Sequence, residues 1–299
     1  MIVLLYGKNG WICNLMKEVL EKNNIRYFSS NVRADNFIDV CKEIDLIKPT
    51  HLMSFIGRTH GEGINTIDYL EKKGKLDINI RDNLYAPLIL AEAARRYRIH
   101  LSYLGTGCIY NYDADHPLGN SDTGFTEKDT PNFKGSSYSC VKSYTDRILK
   151  LNPYVLTLRI RMPISSKSNK RNFIDKIISY EKICSIPNSM TVLDDFLPIF
   201  LDLAKKKIIG TYNCTNPGLI SHNQILKMYK EIVDPTFTWK NFTLEDQANV
   251  LKADRSNNCL TTNKLQLFFP KLKNINDAVK DVLYKMKGDD KSKVNCNIS

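Results

Sequence analysis

The chain opens Met1-Ile-Val-Leu-Leu-Tyr-Gly-Lys-Asn-Gly-Trp-Ile-Cys13. The first six residues are an uncharged apolar run of strand length, suited to burial on both faces of a sheet. The run passes straight into Gly7-x-x-Gly10 and then into an amphipathic stretch, Trp11–Asn23. Two glycines three apart at a strand-to-helix turn let the backbone come close to a pyrophosphate. The helix start adds N–H donors and the positive end of its dipole. A lone Gly-x-x-Gly also occurs in ordinary turns; its place between a first strand and an amphipathic helix favours the dinucleotide reading. The third glycine of the usual fingerprint is replaced by Cys13, at a position that asks mainly for close helix–sheet packing.

Working outward, further strands are expected at Arg26–Ser29, His51–Phe55, His100–Leu104 and Val155–Ile160. Helices are expected at Phe37–Lys48, Ile80–Arg98 and Tyr138–Leu151. Buried strands alternating with helices predict an α/β chain on a doubly wound parallel (Rossmann) sheet. From about Arg161 the pattern loosens. Pro163, Pro187, Pro198, Pro217 and Pro235 punctuate short elements, with helices expected at Asp194–Lys207, Ser221–Val233 and Ile275–Lys285. The expected division is a dinucleotide-binding domain over 1–160 and a smaller C-terminal α/β substrate lobe over 161–287, with some segments returning to the sheet. A polar tail is expected over 288–299.

With 299 residues and 42% hydrophobic content, the chain can bury a sizeable core. No apolar run reaches the length of a membrane span. The first run is too short for a signal peptide and lacks a basic flank, so the cytoplasm is the expected compartment. The eight cysteines are scattered, with no C-x-x-C pair and no zinc spacing; free buried thiols are expected for all of them except Cys108, and no metal is expected. Net charge is 43 − 32 = +11. The lysines are dispersed, without a basic stripe interleaved with aromatics, so small phosphate-bearing ligands are expected rather than nucleic acid.

The second strand ends Ser29-Ser30-Asn31-Val32-Arg33. A site for NAD usually places a carboxylate there, against the ribose 2′-hydroxyl. Arg33 suits a 2′-phosphate, so NADPH is expected to bind more tightly than NADH; a solvated loop cation is the alternative. Tyr138-Ser-Cys-Val-Lys142 puts a phenol and an ammonium one helical turn apart. Tyr138 would give its proton to a carbonyl oxygen that receives hydride, while Lys142 lowers the phenol's pKa and holds the ribose. With 15 tyrosines, about 1.5 such pairs are expected by chance; Tyr69 and Lys73 read as the chance one. Thr106 follows the strand His100–Leu104, at the sheet edge where ligands of open α/β folds bind. Its hydroxyl can hold the same carbonyl oxygen. Thr106, Tyr138 and Lys142 together form the short-chain dehydrogenase arrangement.

These residues and several loop segments resemble the plant-type bifunctional nucleotide-rhamnose synthases, which are 3,5-epimerase/4-reductases. More distantly the chain is similar to the dTDP-4-dehydrorhamnose reductases. The resemblance covers about residues 1–285. It rests on Tyr6–Ile12, Ala114–Gly119, Asp129–Phe133, Arg161–Ser166, Arg171–Ile174, Ile186–Thr191, Phe237–Thr243 and Arg255–Asn258. Departures are Cys13 and the loop Gly57-Arg-Thr-His-Gly-Glu-Gly63.

The resemblance implies UDP-4-keto-6-deoxy-glucose as substrate and UDP-L-rhamnose as product. It implies Gly7, Asn9, Gly10, Trp11, Ile12 and Gly57 as further cofactor contacts, with Asn83, Asn172 and Arg255 toward the substrate. It maps the epimerising pair onto Cys108 and Lys176. On composition alone these two read as a buried thiol and a solvated lysine; Asn172 and Arg255 read as a helix cap and a surface cation. Trp239 and Phe242 read as core. A separate 4,6-dehydratase is expected to supply the keto sugar, and the resemblance leaves room for a homodimer. Two other readings stand beside this one. One is a reductase acting only on a dTDP- or UDP-4-keto-L-rhamnose, the other a non-catalytic NADP-binding regulatory subunit.

Overall fold

The computed structural model describes residues 1–296, and side chains as far as 288. The first half runs β1 (Ile2–Tyr6), α1 (Trp11–Lys22), β2 (Arg26–Ser29), α2 (Phe37–Ile47), β3 (His51–Ser54), α3 (Leu76–Ile80), α4 (Ala86–Tyr97), β4 (His100–Thr106), α5 (Ser137–Leu149) and β5 (Val155–Ile160). A 3-10 turn spans Ile67–Glu71, and a π turn, Arg81–Tyr85, joins α3 to α4. Then follow α6 (Phe173–Ile178), β6 (Lys182–Ile183), α7 (Leu193–Lys205), β7 (Gly210–Asn213), α8 (His222–Ile232), β8 (Lys240–Asn241), α9 (Leu244–Val250), α10 (Asn263–Gln266) and α11 (Ile275–Cys296).

Six strands form one parallel sheet in the order β2-β1-β3-β4-β5-β7. This is the doubly wound sheet expected from the strand–helix alternation. One face is packed by α1 and α7, with Cys13, Met16, Leu20, Phe196 and Phe200 buried against Val3, Leu5 and Leu158. The other is packed by α2 and α4, with Val40, Ile44, Leu90 and Ala94 against Leu4, Leu52 and Leu101. A third core belongs to the C-terminal lobe, where Ile174, Ile177, Ile225, Val279 and Leu283 meet and Trp239 packs at the margin.

The expected strands agree with the observed ones within about two residues, and β4 carries on to Thr106. β7 was not foreseen. Its sequence, Gly-Thr-Tyr-Asn, has no apolar alternation, and its strand conformation comes from pairing with β5. The expected helix over 275–285 continues to Cys296, so the polar tail is helical to there. Residues 297–299 lie outside the described residues.

Pro87 explains the π turn. A proline has no N–H to give to the carbonyl four residues back, which here belongs to Asn83. The helical line widens at that point, and Thr145 Oγ1 donates to the freed Asn83 oxygen at 2.6 Å. Among the described residues, no helix is long and apolar enough to cross a membrane.

Candidate active site

The site lies at the carboxyl ends of the parallel strands. At the first of them Gly7 has φ +90°, and a Cβ there would stand 3.0 Å from the Phe55 carbonyl carbon. Only glycine lets the β1–α1 turn lie this close to the end of β3. Gly10 is the N-cap of α1 and no side chain caps it, which leaves the first-turn N–H groups for an anion. These features fit a dinucleotide pyrophosphate. Cys13 is fully buried under the sheet, so it does the packing that the third glycine permits in the usual fingerprint. Burial pushes its thiol up to about 11. Asn9 and Gly57 are exposed at the cleft rim, and Trp11 and Ile12 pack partly on the core.

Arg33 lines an open cleft with Asn31, Asp35, Phe37 and Tyr85. Its guanidinium makes two 2.9 Å bonds to the Asp35 carboxylate, and its side chain is 63% exposed. A second cation, Lys8, donates to Asn31 at the same edge; no fingerprint position had drawn attention to it.

The catalytic candidates come from β4 and α5. Ser136 caps α5, accepting from Ser139 N. The helix is then fixed to the sheet by a buried ion pair: Arg159 Nε and Nη2 reach the two Asp146 oxygens at 2.9 and 2.8 Å. This sets Tyr138 and Lys142 over the end of β4. Tyr138 is hydrogen-bonded to the Thr106 hydroxyl. Thr106 Oγ1 also accepts from Cys108 N at 3.0 Å, and Cys108 packs on the small cluster of Tyr69, Leu70 and Tyr138. Burial raises the Tyr138 phenol, the nearby Cys108 adds to this, and the Thr106 bond works the other way. Burial brings the Lys142 ammonium down to about 8, against the pull of Asp146. Lys142 donates to the buried Tyr103 hydroxyl.

Beneath the Thr106–Cys108 turn lies Arg161, 1% exposed and without a carboxylate partner among the described residues. It donates to Asn188 Oδ1 at 2.7 Å and to the Ser256 carbonyl at 3.0 Å. A Cβ on Gly107 would fall 2.9 Å from the Arg161 stem, so this turn needs its glycine.

The opposite wall is assembled from distant segments. Asn83 is fully buried: its Oδ1 accepts from Arg58 N at 2.9 Å, and its Nδ2 donates to Arg58 O and Asn79 Oδ1. Asn172 is likewise buried and zipped to the Ser165 backbone. Both hold cleft loops in place, with their amides turned to protein groups. Arg255 donates to Asp68 and to Ala253 O. Asp68 also accepts from Thr66 and from the amides of Lys252 and Ala253. Burial opposes ionisation of Asp68, yet the Thr66 and Arg255 bonds hold it down to about 2. Lys176 is lowered by burial, with Arg171 and Arg255 adding to it. Tyr69, set aside with Lys73 as a chance pair, packs on Tyr138; Lys73 is exposed, and it is Lys75 that lies over the Tyr69 ring. Arg58, His60 and Arg171 were not singled out as site residues. The weak signals were the departing loop 57–63 and the quoted Arg171–Ile174 motif.

A parallel sheet with a glycine turn at its first strand and a Tyr–Thr–Cys cluster at its fourth defines a Rossmann-type reductase or epimerase. No family model matches the chain. The L780 UDP-rhamnose synthase from Acanthamoeba polyphaga mimivirus is 50% identical, with a TM-score of 0.93 over 96% of this chain and 99% of that one. A bifunctional dTDP-4-dehydrorhamnose 3,5-epimerase/dTDP-4-dehydrorhamnose reductase from Arabidopsis thaliana is 47% identical over 277 residues, 92% of this chain and 90% of its own. The dTDP-4-dehydrorhamnose reductase from Bacillus anthracis, solved in complex with NADP, shares the fold at 18% identity and a TM-score of 0.78 over 94% of this chain and 98% of its own. The chain belongs to the family of bifunctional nucleotide-rhamnose synthases.

Proposed function

We propose that the chain converts UDP-4-keto-6-deoxy-glucose into UDP-L-rhamnose, by 3,5-epimerisation and then reduction at C4. The observation that carries this is the placement of Cys108 in the same turn as Thr106 and on the cluster that includes Tyr138. That placement gives epimerising and reducing groups one cleft. The C4 ketone acidifies the protons on C3 and C5. Cys108 and Lys176 exchange them from opposite faces of the ring, and the lowered ammonium of Lys176 suits it to pass a proton at neutral pH.

Gly7, Gly10 and the uncapped start of α1 hold the pyrophosphate of NADPH. The reduced dinucleotide, when bound, supplies hydride to C4. Tyr138 gives its phenolic proton to the oxygen formed there, Thr106 holds that oxygen, and the Lys142 ammonium stabilises the phenolate left behind. Arg33 and Lys8 at the 2′-phosphate edge favour NADPH over NADH. A separate 4,6-dehydratase supplies the keto sugar, and the cytoplasm is the setting. A homodimer is supported by the exposed apolar residues Tyr144 and Ile148 on α5 and Leu151 in the turn that follows it.

The test is proton NMR in deuterated water with the UDP-4-keto-6-deoxy sugar and oxidised cofactor. The unmutated protein should wash deuterium into C3 and C5. Cys108→Ala or Lys176→Met should suppress this by about 10²–10⁴-fold, while reduction of the pre-epimerised ketone survives. A protein that reduces that ketone yet exchanges neither proton is a reductase only.

A further inference from the structure

The loop Gly57–Gly63 departs from the family pattern, and the structure sets its His60 against Arg171, where Arg171 Nη2 donates to His60 Nε2. The loop is fixed in this position by Tyr69, whose ring lies so close over Gly61 that a Cβ there would stand 2.5 Å from it. On the other side the Arg171 backbone is held by Asn169 Oδ1 at 3.0 Å. Lys176 lies five residues further on, in α6.

The nearby carboxylates are already engaged. Asp82 takes Arg58, Asp68 takes Arg255, Glu62 takes Lys72 and Lys75, and Asp175 takes the Asn169 amide. Among the described residues, no carboxylate forms an ion pair with Arg171, His60 or Lys176. Among the described residues the half-buried Arg171 guanidinium has only a neutral imidazole as side-chain acceptor, an arrangement that favours an anion.

We propose that His60 and Arg171 form the subsite for the diphosphate of the nucleotide sugar, and that a phosphate oxygen displaces His60 as the acceptor for Arg171 while the imidazole takes up a proton. This rests on the functional reading above and adds to it the contact that recognises the diphosphate. Burial, then Arg171, Arg58, Lys170 and Lys176, hold the His60 imidazole down to about 4. It is therefore neutral at pH 7 and can accept from the guanidinium. A diphosphate diester brings two negative charges among these cations and reverses the balance. His60, once released by Arg171, becomes a second charged donor. Binding then consumes a proton, and affinity falls as pH rises through the imidazole's value in the complex.

The phosphates of the dinucleotide share this chemistry, so the experiment has two arms. UDP-glucose, whose diphosphate does not itself titrate near neutrality, is titrated calorimetrically into the full chain at pH 7 in two buffers of different ionisation enthalpy. NADP⁺ affinity is measured alongside. Uptake of a sizeable fraction of a proton with UDP-glucose is expected. His60→Gln should abolish that uptake. Arg171→Met should weaken UDP-glucose by about 10- to 100-fold and leave NADP⁺ unchanged, which also reports a folded protein. Should Arg171→Met fail to fold, Arg171→Lys and His60→Gln carry the test. Unchanged UDP-glucose affinity in Arg171→Met, absence of proton uptake, or a loss that falls on NADP⁺ instead overturns the subsite. If the keto sugar is turned over all the same, the functional reading survives that failure. If proton-linked UDP-glucose binding is seen without turnover, the functional reading fails and the subsite stands.

Discussion

The two walls of the cleft are built in different ways. The wall that carries the candidate cofactor and catalytic residues uses short continuous pieces: the Gly7–Cys13 turn, the end of β4 from Tyr103 to Cys108, and one face of α5 from Tyr138 to Asp146. The facing wall gathers loop 57–71, the segment 161–176 and the stretch 250–258. Its joints span most of the chain, as where Asp68 accepts from the amides of Lys252 and Ala253 at 3.0 Å each. The first wall has its geometry from local rules of strand end and helix face. The second exists only where segments far apart in the chain meet. The same contrast appears in two neighbouring arginines of β5 and its extension. Arg159 is paired with Asp146 and ties down the catalytic helix. Arg161 is surrounded by neutral acceptors contributed from 107, 188 and 256.

If the walls divide their labour in this way, damage to one should leave the ligand of the other alone. The largest effect is expected for Tyr138→Phe, which keeps the buried ring and removes the proton. Reduction of a pre-epimerised ketone should fall by about 10²–10⁴-fold, with NADPH binding intact by fluorescence titration. Near-normal turnover would place the acid on the other wall.

A smaller effect is expected for Asp68→Asn. It frees Arg255 and loosens the 250–255 segment, and a charge-assisted bond of this kind contributes about 1.5–3 kcal/mol. The KM for the keto sugar should rise about tenfold or more, with cofactor affinity unmoved. A loss of cofactor affinity instead would mean that the walls are mechanically one.

The smallest effect is expected for Arg33→Ala. Arg33 is exposed and already engaged by Asp35, so its contact with a 2′-phosphate competes with an existing bond and with water. NADPH should weaken by about 1 kcal/mol, roughly fivefold, and NADH hardly at all. Equal dissociation constants for the two cofactors in the native protein would remove Arg33 from the account. A large discrimination that survives the substitution would move attention to Lys8.

Legibility in the sequence follows the same line. β1, β3, β4 and β5 could be read because each is a largely buried run bounded by turn residues, β2 by its aromatic pair between turn residues although it is only half buried, and the helices of the first half because their apolar positions recur every three or four residues. Thr106, Tyr138 and Lys142 could be picked out because a hydroxyl at a strand end and a Tyr-x-x-x-Lys helix face are local patterns. β7 could not, since four residues starting at a positive-φ Gly210 become a strand only beside β5. His60 and Arg171 stand 111 residues apart, and no spacing rule joins them. Asn83 and Asn172 are drawn toward the substrate by the family resemblance alone; the sequence carries no sign that their amides are spent on the backbone of Arg58 and Ser165. Tyr69 and Lys73 are set aside on position, because Thr106 at the end of a strand goes with Tyr138; that Tyr69 joins the cluster of Tyr138 from a 3-10 turn is a tertiary contact with no local pattern.

The π turn at Arg81–Tyr85 has a consequence for length variation. Each residue advances an α-helix by about 100° around its axis and 1.5 Å along it, and a wide turn takes in one residue more than an α turn does. α3 and Asn79 therefore face the cleft at an angle set by that one extra residue, while α4 keeps its own footing on the sheet. Deleting a single residue between 81 and 85 would take the extra residue out of the wide turn and leave the sheet well packed. It would also rotate Asn79 away from Ser137 and Asn83, and with them the loop that carries His60. At this joint the cleft can be re-aimed by an insertion or deletion, with no change to any residue that touches a ligand.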